Sequence, residues 1–160
     1  MDGLQDDRIT LVGLLTESYT ALRTELDRGL ERDADLPLLW FELLIRLARS
    51  PGQRLRMSDL AAQTSLTPSG LTRAVDRLET AGLVERLPCP SDGRGAFASL
   101  TPAGSERIRA AVGPHLEHVE RYFTGPLAAD EQRQLAALLR KVRDHVNPGA
   151  AAVPTSRPRG

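Results

Sequence analysis

Between Ser69 and Arg77, short hydroxyls and charged groups follow helical spacing: Ser69, Thr72, Arg73 and Asp76 recur every three or four residues, with Arg77 beside them. Residues at that spacing share one face of a helix. Hydroxyl and guanidinium groups on an exposed face suit phosphate positioning and the reading of base edges in a major groove. A solvated helix face carries the same residue types, so this stretch alone leaves both readings open. Further along, Asp92-Gly93-Arg94-Gly95 sets an arginine in a glycine-flanked loop whose backbone can approach a duplex closely. Arg94 can then enter a narrow minor groove, where negative potential attracts arginine, with Asp92 near enough to hold it.

Other reactive residue types are sparse. Cys89, the single cysteine, lies between Pro88 and Pro90. One thiol excludes an internal disulfide and a multi-thiolate metal site, and redox reactivity would need an electropositive setting that the sequence does not display, so an incidental thiol is expected. His115 and His118 stand one turn apart, with Glu117 and Glu120 nearby. Such a pair can hold a metal, but no third ligand falls in register; a solvated face is the expectation, with no metal site and no cofactor. The chain lacks a Gly-rich phosphate loop, a Gly-x-Ser-x-Gly elbow and a His-Glu-x-x-His pair, so no enzymatic activity is expected.

The elements that must position these groups are mostly helical. A first helix is expected over about 7–32, where Val12, Leu15, Tyr19, Leu22 and Leu26 form a stripe that needs a covering partner. Pro37 opens a second, from Leu38 to Ala48, with Leu39, Trp40, Leu43, Leu44 and Leu47 apolar. Ser58 reads as the N-cap of a short helix from Asp59 to Thr64. Thr67-Pro68 opens the next, which runs to about Thr80, with Leu71, Ala74, Val75 and Leu78 inward and Gly82 as its left-handed cap. Two short helices joined by a tight turn make a helix-turn-helix. The apolar runs Leu83 to Leu87 and Ala96 to Leu100, on either side of a Pro- and Gly-rich loop, read as a β-hairpin. A helix following it is expected at about 103–123, with Ile108, Val112, Leu116, Val119 and Phe123 as its stripe and a kink at Gly113-Pro114. A last helix follows at about 130–146, with Leu135, Leu138, Leu139 and Val142 inward, and the composition of 147–160 predicts a disordered tail.

The runs Ser58-Asp59-Leu60-Ala61, Leu66-Thr67-Pro68-Ser69-Gly70-Leu71-Thr72-Arg73-Ala74-Val75-Asp76-Arg77-Leu78-Glu79 and Ala81-Gly82-Leu83-Val84-Glu85-Arg86 closely resemble the MarR family of regulators. Asp92-Gly93-Arg94-Gly95 and Ser99-Leu100-Thr101-Pro102-Ala103-Gly104 continue the likeness in register, as the family's Asp-x-Arg wing and Leu-Thr-x-x-Gly helix start. The resemblance is sharp over about 55–104; the helical flanks match by length and pattern. It implies a mainly α fold forming one domain over 1–146, with a winged helix-turn-helix at about 53–101 and dimerisation helices at about 7–32 and 103–146. It also implies a sequence-specific DNA-binding regulator acting as a homodimer on a palindromic operator, whose half-sites would lie about 34 Å apart. Implied DNA-contacting residues are Ser58, Thr67, Ser69, Gly70, Thr72, Arg73, Arg77, Asp92 and Arg94. Tyr19, Trp40 and Phe41 are candidate walls for a small phenolic or lipophilic effector that relieves repression. Many members carry a second basic residue where this chain has Gly93, which weakens the wing's grip.

Composition narrows the partners. Lys and Arg total 21 and Asp and Glu total 21, so any attraction to phosphate must come from local segregation of charge. Zero net charge keeps one alternative open, a winged-helix module that binds a protein instead of DNA. No apolar run approaches the ~20 residues of a membrane span, and the first residues lack the pattern of a secretory signal, so a cytoplasmic protein with no membrane partner is expected.

Overall fold

The computed structural model describes residues 3–64, 66–89 and 95–148. Helix α1 spans Asp7–Ala34 and starts on the side chain of Asp6, whose carboxylate accepts the Arg8 N–H at 2.9 Å. It ends at Asp35, in the left-handed region at φ 47°. Helix α2, Leu38–Ala48, follows at once. Pro37 occupies its cap position but has no side-chain acceptor to offer, so Asp27 of α1 supplies one, accepting the Leu38 N–H at 2.8 Å. One carboxylate thereby caps α2 and pins it to α1.

A three-residue strand β1, Arg54–Arg56, leads directly into helix α3, Met57–Ala62, and then α4, Pro68–Thr80. Strands β2, Val84–Pro88, and β3, Ala96–Leu100, pair antiparallel with Val84 opposite Leu100; β1 joins the other edge of β3, giving the order β1-β3-β2. The expected hairpin is therefore the larger part of a three-stranded sheet. Arg-Leu-Arg is too short to show a period of its own and is a strand only because β3 offers it an edge. Its buried Leu55 lies opposite Ala98.

Strand β1 also moves the start of α3. Arg56 is still extended, at φ −61° and ψ 144°, and takes the cap position without a side-chain bond, so Ser58 lies inside the first turn instead of capping it. Ser58 remains exposed, with its hydroxyl 3.5 Å from Asp59 Oδ1.

Helix α5 covers Pro102–Val119 and packs along α1 and α2. Pro114 lies within continuous helix; the departure from α geometry comes at Glu120–Thr124, a π-helical turn that closes on Gly125. Leucines 30, 36, 43, 44, 47, 60, 71 and 78, with Ile108, make up most of a core shared by the helices and the sheet. Leu116 and Phe123, expected on one stripe with Ile108, are exposed while Ile108 is buried; Ala111 and His118 are also buried on α5.

Helix α6, Ala129–Val146, has no buried residue. Leu138, Leu139 and Val142 were expected inward and are exposed, Leu138 by 61%. Further uncovered apolar groups gather on α1, where Leu11 is 68% exposed, accompanied by Val12, Leu14 and Leu15. Asn147 is not free tail: its Nδ2 donates to the Ala62 carbonyl at 3.2 Å, tying the end of α6 to the end of α3. The rest of the expected tail, from 149 on, lies outside the described residues. No helix among the described residues is long and apolar enough to cross a membrane.

Candidate nucleic-acid interface

Helix α4 is built to present one face. Leu71, Ala74, Val75 and Leu78 are buried, and Ser69, Thr72, Arg73, Asp76 and Arg77 are exposed between them. Thr67 caps the helix, its Oγ1 accepting the Gly70 N–H at 3.1 Å and lying 3.3 Å from the Ser69 hydroxyl. A Cβ at Gly70 would sit 3.1 Å from that oxygen, so glycine keeps the capping turn tight. Pro68 occupies the first turn, where its missing N–H leaves nothing unpaired. The Thr72 hydroxyl donates to the Pro68 carbonyl at 3.0 Å, which fixes its rotamer and leaves oxygen lone pairs facing outward. With the Gly70 and Leu71 N–H groups taken by Thr67, the Ser69 N–H and the positive end of the helix dipole are what favour a phosphate here.

The other end of α4 is set by Gly82, at φ 72° with no heavy atom within 4 Å of a Cβ built there. Its N–H and that of Leu83 close back on the carbonyls of Glu79 and Leu78, and the chain turns into β2.

Arg86 on β2 decides the charge of the exposed face. Its guanidinium pairs with Asp76 Oδ1 at 2.6 Å and Glu79 Oε2 at 2.5 Å, and its backbone N–H donates to Glu79 Oε1 at 3.1 Å. Partial burial acts to lower its pKa, but the two carboxylates outweigh that and the guanidinium is held charged more firmly than usual. The clasp locks wing strand to helix and neutralises acids that would repel phosphate. Arg73 and Arg77 make no ion pair with any described residue. Sequence reading missed Arg86. Its signal was the acids at 76 and 79, one helical turn apart and less than a dozen residues before a lone arginine on a strand.

Among the expected contact residues, Ser69, Gly70, Thr72, Arg73 and Arg77 are thus brought onto one surface with Thr67 at its edge, and Ser58 is exposed on the preceding helix. Asp92 and Arg94 lie outside the described residues. Cys89, at the end of β2, is buried, and its N–H donates to the Gly95 carbonyl at 3.0 Å.

The sequence of this surface matches the model described as MarR family over residues 34–95. The HTH-type transcriptional regulator PecS of Dickeya dadantii is 33% identical over 144 residues, spanning 89% of this chain and 86% of its own. The chain belongs to the MarR family. A second relative of this MarR-family protein, the HTH-type transcriptional repressor Mb2911 of Mycobacterium bovis, is 34% identical and covers 88% of the chain and 97% of its own length. Among solved structures, that of Sco3205, a MarR family transcriptional regulator from Streptomyces coelicolor in complex with DNA, superposes with a TM-score of 0.82 at 37% identity, over 96% of this chain and 99% of its own. The MarR-family fold therefore holds here: a winged helix-turn-helix flanked by long helices, in a family of DNA-binding transcriptional regulators.

Away from this surface, α1, α2 and α5 line an open-sided concavity of about 160 Å³ whose walls include Tyr19, Leu22, Phe41, Glu42 and His115. Tyr19 and Phe41 were expected there. Trp40 is not among the lining residues; being adjacent to Phe41 on a helix, it points about 100° away and packs on the core elsewhere.

The two histidines are not a solvated pair. His115 lies against Phe41, ring centroids 4.1 Å apart. His118, 5% exposed, reaches α1, with Nε2 2.7 Å from Asp33 Oδ2 and its ring in the space left by Gly29, where a Cβ would come within 2.5 Å of it. One turn of helix thus splits them between two environments, and among the described residues no group of three or more His, Cys, Asp or Glu is placed to hold a metal. Hydrogen bonds from Arg32 and from His118 hold the Asp33 carboxyl down at about 2, from an ordinary 3.8. A carboxyl depressed on folding adds stability above its unfolded value and loses it as pH falls through the folded one. Urea unfolding should accordingly show wild type losing stability from pH 3.8 to about 2 more steeply than Asp33→Asn; parallel profiles would refute the pairing.

Proposed function

We propose that this MarR-family chain is a ligand-responsive transcriptional repressor that acts in the cytoplasm and binds a palindromic operator as a homodimer. The observation that carries the DNA-binding surface is the exposed face of α4, where Arg73 and Arg77 stand beside Ser69 and Thr72 while Arg86 neutralises Asp76. A net-neutral chain presents locally positive charge there, as attraction to phosphate requires. Ser58, Thr67, Gly70, Asp92 and Arg94 complete the proposed contact set. Repression is supported by the relative Mb2911, named a repressor, and DNA binding by the Sco3205 complex.

The exposed leucines and valines of α1 and α6 support the dimer, since apolar surface of that extent on long helices calls for a cover. The helices at about 7–32 and 103–146 form the dimerising part and 53–101 the DNA-binding part. A twofold dimer sets two copies of α4 about one duplex turn apart, hence the palindrome. The concavity against α1, α2 and α5 is the effector site, and an effector relieves repression by preferring the spacing of recognition helices that does not fit the operator.

Titration of the duplex upstream of the gene, with wild type, Arg73→Ala and Arg77→Ala, tests the surface. Each substitution should weaken binding about tenfold and leave the far-ultraviolet spectrum unchanged; loss of a phosphate contact also lowers the salt slope by about one. Zero net charge favours the rival reading, a protein-binding module. Affinity for duplex that is undetectable, or flat with salt, would favour that rival and end the present one.

A further inference from the structure

We propose that Arg157 and Arg159 enter a minor groove beside the half-site read by α4, carried there by a chain that leaves the folded part at the helix-turn-helix. This inference rests on the DNA-binding reading above and adds a second point of contact to it.

The point of departure is set by one hydrogen bond. Asn147 Nδ2 donates to the Ala62 carbonyl at 3.2 Å, and Ala62 is the last residue of α3. The end of α6 is thereby held at the turn that leads into α4. In a helix-turn-helix the first helix crosses the duplex backbone and the start of the second meets base edges, so a chain leaving here starts next to the duplex. Arg140 and Lys141, both exposed on the last turns of α6, add positive charge at the same end of that helix.

Length and bulk both suit the task. Arg157 follows Asn147 by ten residues, a reach of about 33 Å when extended. That is close to one duplex turn of ~34 Å, enough to arrive at a minor groove adjoining the major groove that α4 occupies. Residues 147–156 include none bulkier than valine, so the chain is slim enough for a groove only about 6 Å wide. Pro154 and Pro158 restrict the free chain and lower the entropy lost when it is laid straight.

Charge and side-chain type select the groove. No Asp or Glu follows Asp144, so the segment meets phosphate without side-chain repulsion. Its two cations are arginines, whose weakly hydrated guanidinium is drawn into a narrow, A·T-rich minor groove where the negative potential is strongest. Guanine places its N2 amine in that groove and obstructs entry.

Titration of the full chain against two forms of the duplex upstream of the gene tests the assignment. One carries guanine; the other carries inosine at every guanine, which removes the minor-groove amine and keeps the major-groove edge that α4 faces. Arg157→Ala combined with Arg159→Ala should weaken binding to the inosine duplex about tenfold and lower the salt slope by about one per arginine. The wild-type preference for inosine over guanine should fall at least about threefold in that variant. Asn147→Ala should cost wild type about threefold and the double variant nothing, since it acts only by moving the origin of the segment. Affinity lost with the inosine preference intact would overturn the groove assignment, and affinity unchanged would overturn the inference whole. Asn147→Ala costing both proteins alike would overturn the point of departure. Each of these failures leaves the α4 surface standing, whereas a wild type that binds neither duplex removes the DNA-binding reading and this inference with it.

Discussion

Gly104→Ala is expected to destabilise the protein by about 2 kcal/mol or more, because the added methyl has no room. A Cβ at Gly104 would lie within 1.9 Å of the Leu83 carbonyl oxygen, with its carbon at 2.9 Å and Leu100 Cδ2 at 3.1 Å. That oxygen cannot retreat, since it accepts the Thr101 N–H at 3.1 Å. Thr101 in turn donates its hydroxyl to the Gly82 carbonyl at 2.6 Å and accepts the Gly104 N–H at 3.0 Å. Start of β2, end of β3 and first turn of α5 thus meet in one knot, and relief at any point breaks a bond at another. The opposing effect is smaller: alanine gains about 1 kcal/mol over glycine in a helix interior, and less near an end. For a chain of this length the net loss should lower Tm by about 5 °C or more. A thermal scan of Gly104→Ala that matched or exceeded wild type would show that the knot yields. The same contact explains why a Leu-Thr-x-x-Gly segment follows the wing: threonine caps the helix and ties it to the turn, and glycine lets it come close enough to do so.

Leu15→Glu combined with Leu138→Glu should convert the protein to monomers and lower operator affinity by about a hundredfold or more. Both leucines are exposed in the single chain, on α1 and α6 respectively. Burying a leucine contributes about 1.5–3 kcal/mol, and a twofold interface counts each position twice. Glutamate forfeits that gain and adds a carboxylate that must be desolvated without a partner. A monomer then grips the operator with one α4 in place of two and loses the effective concentration that links the half-sites. Light scattering should report the mass of one 17.4 kDa chain for the variant and twice that for wild type. A dimeric variant would place the interface elsewhere, and a monomeric wild type would remove the dimer from the proposed function.

Much of the recognition surface was legible in the sequence because its causes are local. The face of α4 follows from residues three and four apart, its start from Thr67-Pro68, and its end from Gly82, whose positive φ suits glycine best. The strands flanking the wing showed as short apolar runs, and the stripes of α1 and α6 as helical spacing. Each of these is decided within about a dozen residues, by backbone geometry and side-chain type alone.

Tertiary structure decided the rest, where the deciding partner is remote in sequence. Arg-Leu-Arg becomes a strand because β3 lies beside it, and that pairing in turn denies Ser58 its cap. Asp76 looked like an exposed acid until Arg86 folded over it. His118 is interior because Gly29, far away in the chain, leaves space for its ring and Asp33 a partner for its nitrogen. The stripe of α6, expected to face inward, meets no core in a single chain. Periodicity states which side of a helix is apolar, whereas what covers that side is a matter of long-range packing, set only when the other elements are in place.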